Sequence, residues 1–256
     1  MKRKVLHNKP LVEAIFEIWW ELKPVAPGML IDPHYQLLVG RVYDKLVNLY
    51  PFHEPLPSST MPDEIAGYTV QHRFREKEND WPLVQIGPGI MTLNDTEKYV
   101  WEDFEAQIPP VIDALFTNYP AEDLRINRVL LRYLDAVDFS YTESNILTFL
   151  SDMMKTDIKM PPSLFYNTGV LENPVALDLH FGFLSAKPKG AISLRFAEGN
   201  IKGEDAFIWE TTVQSIEEDA PKTGADILHW ANDAHKLADD WFFKLIENSE
   251  LLRRFE

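Results

Sequence analysis

The sequence predicts an α+β fold in which duplicated strand–helix–strands–helix modules share one curved antiparallel sheet, with the helices on one face. Three observations predict it. Residues 11–22 alternate apolar and polar side chains with the period of two that marks a half-buried strand. The same order of elements then runs twice, over residues 1–122 and 123–256, which are read as two halves of a single compact unit. Both halves end on an amphipathic helix, and helices gathered on one side of an antiparallel sheet leave its other side to polar residues.

In the first half, Val12, Ala14, Phe16, Ile18, Trp20 and Leu22 form the inward set of the leading strand. Asp32-Pro33 reads as an N-cap and first-turn proline, opening a helix that carries Tyr35, Leu38, Val42, Leu46 and Leu49. Residues 51–66 hold four prolines and read as an exposed loop. Residues 68–75 and 83–94 read as a hairpin whose second strand is interrupted by Gly87-Pro88-Gly89, a bulge or sharp bend. A helix over 101–119 should kink or restart at Pro109-Pro110.

The second half repeats the order: a strand over 124–139, a helix over 144–155, and a second proline-containing loop over 159–174. Strands follow over 175–185, 191–198 and 206–216. The longest helix starts at Thr223, with Asp226 three residues on in the manner of a capping box, and buries Ile227, Trp230, Ala234 and Trp241. In outline the order is similar to the TBP-like or helix-grip arrangement.

Composition excludes several classes. With 25 Lys+Arg against 40 Asp+Glu the net charge is −15, which disfavours direct binding of a phosphate backbone. The chain has no cysteine, so disulfides, thiolate metal sites and thiol nucleophiles are out. The start, MKRKVLHNKP, is basic but lacks an apolar core, and no run of about 18 apolar residues occurs, so a cytoplasmic protein with no membrane segment is expected. No Walker, HExxH or GxSxG pattern appears, His229 and His235 are six apart, and neither a metal nor a cofactor is expected.

Strand parity selects the side chains on the open face of the sheet. Glu13, Glu17 and Trp19 on the first strand, and Arg128 and Arg132 on its counterpart, point away from the helices, so Glu13 and Glu17 are expected to pair with Arg128 and Arg132. Gln71, Arg73, Gln85, Asp178, His180, Arg195 and Glu210 join them. A tryptophan among charges is a recognition-site composition. A catalytic alternative would need His180 close to Asp178 or Glu210.

Four segments, PLVEAIFEIWW at 10–20, VQIGPGIMTLND at 84–95 followed by Tyr99, Trp101 and Phe104, RVLLRYLDAV at 128–137 and ILHWANDAHKLADDWFFKLI at 227–246, resemble a sporadically distributed family of uncharacterised prokaryotic proteins of about this length. The strongest marks are Pro10, Glu13, Ala14, Phe16 and Glu17, then Gly87, Pro88, Gly89 and Asn94, then Arg132, Tyr133, His235 and Phe243. The resemblance implies a bacterial or archaeal cytosolic protein and supplies no catalytic residue; patchy distribution implies an accessory component of a stress or defence module. The expected function is therefore non-enzymatic: protein interaction or regulation through the open sheet face and the two proline-containing loops, with a partner of basic surface. A small-molecule sensor with a pocket between sheet and helices is the alternative, and an enzyme the third reading. Homo-oligomerisation and mimicry of nucleic acid by the acidic surface stay open.

Overall fold

A computed structural model describes residues 6–96 and 98–256; the basic start at residues 1–5 lies outside them. The leading strand, β1 (Leu11–Trp20), buries Ala14, Phe16, Ile18 and Trp20 completely, as its alternation requires of a central strand. A small hairpin of β2 (Lys23–Ala26) and β3 (Met29–Ile31) precedes helix α1 (Tyr35–Leu46). Strands β4 (Phe52–Pro55), β5 (His72–Arg75), β6 (Leu83–Gly87) and β7 (Ile90–Asp95) then lead to α2 (Trp101–Asn118).

The second half runs β8 (Ile126–Asp138), α3 (Ile146–Met154), β9 (Asp178–Ala186), β10 (Lys189–Ile201), β11 (Glu204–Gln214), α4 (Gly224–Ile246) and α5 (Glu250–Phe255). Thr223 caps α4 by accepting the Asp226 amide, as its pattern predicts. Among the described residues, nine strands join in one antiparallel sheet of order β4-β5-β6-β7-β1-β8-β11-β10-β9, with the two leading strands side by side at its centre.

Several local expectations are corrected. Gly87-Pro88-Gly89 does not interrupt one strand; Pro88-Gly89 is the two-residue turn of a β6–β7 hairpin, with Gly89 at φ +78. Pro109 and Pro110 sit inside an unbroken α2. The loop over 51–66 contains the edge strand β4, and the β2–β3 hairpin and α5 carry no clear periodicity. The N-cap position of α1 is His34 rather than Asp32. The Asp32 carboxylate instead accepts the Trp20 indole N–H at 2.8 Å, the Tyr119 hydroxyl at 3.0 Å and the His34 amide at 3.0 Å, tying β1, the end of α2 and the start of α1 together.

Two apolar clusters cover the helix side of the sheet. The larger joins Phe16, Ile18, Met91, Leu93, Val129 and Leu131 to α1, α2 and the first part of α4. The smaller joins Phe196, Phe207 and Trp209 to α3, α5 and the end of α4. Trp241 touches both, so a seam runs beneath α4.

Candidate functional site

Register gives the expected open-face residues other partners than the sequence reading paired them with. Glu17 lies opposite Leu130, and Arg132 opposite Ile15, so the expected Glu–Arg pairs do not form. Glu13 instead accepts the Asn94 side-chain amide at 2.8 Å, and Glu17 accepts the Trp19 indole N–H at 2.6 Å. Arg128 lies with its guanidinium carbon 4.2 Å from the Trp19 ring centroid, a cation–π contact, and Arg132 stands 3.6 Å from Glu210. Arg73 donates to Gln85, which donates to Thr92 and Asn94. Gln71, expected at the surface, is buried because residues 56–60 cover it; its side chain donates to the Ser58 carbonyl.

The glycine hairpin shapes this face. The Tyr68 amide donates to the Pro88 carbonyl, holding Tyr68 at φ +62 with its ring stacked 4.8 Å from Trp19. A side chain at Gly89 would meet that ring at 2.8 Å. The result is an open cleft to which Glu17, Trp19, Gln85 and Arg132 contribute. Asp178, His180 and Arg195 are not part of it. They lie on β9 and β10, up to four strand spacings or about 19 Å from β1. There Asp178 takes Arg195 in a bidentate pair at 2.7 and 2.9 Å, which holds its carboxyl below the usual range, while His180 is exposed. His180 faces Arg195 across the ladder, Arg195 binds Asp178 and Glu210 accepts from Thr212, so among the described residues no hydrogen bond joins His180 to either acid.

A second concavity lies on the opposite side of the sheet. A cavity of about 170 Å³ occupies the seam beneath α4, walled by Leu6, Leu11, Trp101, Ala238, Phe242 and Phe243. A β-bulge helps to build it: Leu11 pairs with Asp135 and Glu13 with Leu134, so Val12 is the extra residue and Leu11, not Val12, turns toward the helices. The Tyr99 and Tyr133 hydroxyls bond at 2.8 Å, and Tyr133 bonds His235 Nδ1 at 2.8 Å. The His235 ring stacks on Trp101 with centroids 4.0 Å apart and planes 6° from parallel.

Asp135 is the group this wall leaves unanswered. It is 4% exposed, no described residue hydrogen-bonds or ion-pairs with its carboxyl, and burial alone pushes its pKa up to about 8. Thr211 Oγ1 and Trp209 Nε1, on the neighbouring strand, are also buried without hydrogen-bond partners, and Trp209 is the residue paired with Asp135. Asp135 and Thr211 line the cavity. Near neutral pH the acid is protonated, so it can donate one hydrogen bond and accept others.

Sequence reasoning holds a pocket between sheet and helices as its alternative, with Tyr133, His235 and Phe243 noted as marks of the resemblance, but names no residue of it as a site residue. Asp135 is legible as an acid at the inward parity of Val129, Leu131, Tyr133 and Val137. Among the described residues no helix is long and apolar enough to cross a membrane. No protein-family model matches the chain, and no curated protein matches it.

Proposed function

We propose that this is a non-catalytic ligand-binding regulatory protein that encloses a small molecule between the sheet and α4. The observation that carries the reading is Asp135, a buried acid with no hydrogen-bond partner among the described residues, on the wall of a mostly apolar cavity. Buried polar groups in native proteins are nearly always satisfied, so an orphaned carboxyl beside an orphaned hydroxyl marks a place where a bound molecule completes the bonding. Ala238 lines the cavity and gives the test. Small metabolites are screened for a rise in thermal midpoint with the wild type and with Ala238→Leu, which fills the space. Compounds that stabilise only the wild type support the reading; no stabilising compound, or equal shifts in both proteins, overturns it.

A second reading concerns the open face. The Tyr68–Trp19–Arg128 stack beside Glu17 and Arg132 favours recognition of a protein, and a charge of −15 favours a basic partner surface. Such a sensor would work in the cytoplasm as an accessory component of a prokaryotic stress or defence module, in keeping with the family resemblance. Arg132→Ala and Glu17→Ala should each weaken recovery of the native partner without lowering thermal stability; a stability loss with intact recovery makes the cluster structural.

The strand order supports descent of the halves 1–122 and 123–256 from one helix-grip-like module. Each half places its first strand at the centre and its last strand beside that, then runs outward in reverse: β1-β7-β6-β5 and β8-β11-β10-β9. Helices α1 and α3 follow the first strands, and α2 and α4 the last.

A further inference from the structure

The walls of the cavity bear on the charge of its ligand, an inference that rests on reading the cavity as a ligand site. Its apolar lining comes from Leu6, Leu11, Trp101, Phe242 and Phe243, so most of the ligand must be apolar. Its volume of about 170 Å³ slightly exceeds the roughly 150 Å³ of an apolar cavity that holds benzene. One ring with a short arm therefore fits. Among the polar groups of the wall, Asp135 and Thr211, which sit diagonally across adjacent strands, are the ones without a hydrogen bond among the described residues, and they offer the arm its partners.

We propose that the cavity takes a small organic amine, its ring among the aromatic walls and its ammonium N–H groups on the Asp135 carboxylate and Thr211 Oγ1. An alcohol or amide would satisfy one bond of the neutral acid, whereas an ammonium group also supplies a counter-charge that no described residue gives Asp135. Among the described residues, the titratable and charged groups lining the cavity around Asp135 are Lys9 from the segment before β1, Tyr99 and Glu102 at the start of α2, Tyr133 on β8, and His235 and Asp239 on α4. Lys9, the one lysine or arginine among them, donates to the Tyr99 carbonyl. No charged neighbour contributes to the Asp135 shift, which burial alone produces. An incoming cation reverses that burial effect: Asp135 gives up its proton to solvent as the charged pair forms.

Benzylamine, benzyl alcohol and benzoate, which share one ring and differ in charge, are titrated calorimetrically into the full chain near pH 6.5, in two buffers of different ionisation enthalpy. Benzylamine should bind about ten- to a hundred-fold more tightly than benzyl alcohol, and benzoate should not bind. Benzylamine should release close to one proton per molecule bound, read from the difference between the buffers. The near-isosteric Asp135→Asn should abolish both the preference and the proton release, and Thr211→Val should weaken benzylamine while leaving the release intact. Benzyl alcohol or benzoate binding as well as benzylamine overturns the cationic class and leaves the cavity a ligand site. Failure of all three to bind overturns the cavity reading as well.

Discussion

Asp135 on β8 and Thr211 on β11 lie diagonally across one ladder on the side of the sheet facing α4, each at most 4% exposed and neither side chain hydrogen-bonded. A strand position of that parity ordinarily holds an apolar side chain, as Val129 and Leu131 do in the same strand. Two adjacent exceptions concentrate desolvation cost at one point of the fold. That cost is tolerated in the acid by protonation, which makes it visible as a pH dependence.

The folded chain holds the Asp135 proton up to about pH 8, while the unfolded chain releases it near the ordinary value of 3.8. Between these values the native state binds more protons than the unfolded state, so this group makes stability fall as pH rises, by about 1.4 kcal/mol per unit at most, and level off above the folded value. Asp135→Asn removes that slope. Urea unfolding of both proteins at several pH values between about 5 and 8 should give curves that diverge, with the variant gaining relative stability toward alkaline pH. Parallel curves would show that the acid is not proton-bound when folded.

Trp101 begins α2, is 5% exposed, and stacks on His235 from α4. It is a wall of the cavity and also a bridge between two helices that pack on each other. Trp101→Ala should therefore cost about 3–5 kcal/mol in urea unfolding, because the indole leaves a space the rigid sheet beneath cannot close. Trp101→Phe should keep most of the stability, since a ring still meets the imidazole.

Asp32 gathers the Trp20 indole, the Tyr119 hydroxyl and the His34 amide on one buried carboxylate. Its charge adds to burial in raising the Tyr119 hydroxyl well above the ordinary tyrosine value. Asp32→Ala removes the acceptor but leaves Trp20, completely buried, with an unanswered N–H. The expected loss is about 3–5 kcal/mol, read as a lower urea midpoint, with Asp32→Asn intermediate because its carbonyl can still accept.

What the sequence revealed and what it concealed divide along a physical line. Period-two alternation located β1 and β8 because both are long and buried on one face, and the capping pattern located the start of α4. The β6–β7 turn stayed hidden because strands of five and six residues, joined by only two, read as one apolar run. Edge strand β4 is mostly exposed and therefore has no buried alternation to read. Parity predicted that Glu17 and Arg132 point away from the helices, but partners depend on register, which put Leu130 and Ile15 opposite them. The cavity was hardest, since residues near positions 6, 99, 133, 211 and 235 meet only after folding and the bulge at Val12 reverses local parity.

Two glycines test how tightly the open-face cleft is built. Gly87 ends β6, where a Cβ would lie 2.0 Å from the Thr69 carbonyl oxygen and 2.6 Å from its carbon. Both are backbone atoms, so no side-chain rotation relieves the overlap. The segment from Tyr68 to Val70 must retreat, carrying the Tyr68 ring away from Trp19 and opening the cleft. Gly40, by contrast, lies exposed inside α1 with nothing within 4 Å of a built Cβ. Gly40→Ala should stabilise the protein by about 0.5–1 kcal/mol through helix propensity and a less flexible unfolded chain. Gly87→Ala should cost several times that amount, on the order of 3 kcal/mol, and should also change the near-ultraviolet circular dichroism of the Trp19–Tyr68 stack. A Gly87→Ala protein with wild-type stability and an unchanged aromatic spectrum would mean that Thr69 does not press against β6, and the cleft would lose the wall that Tyr68 gives it.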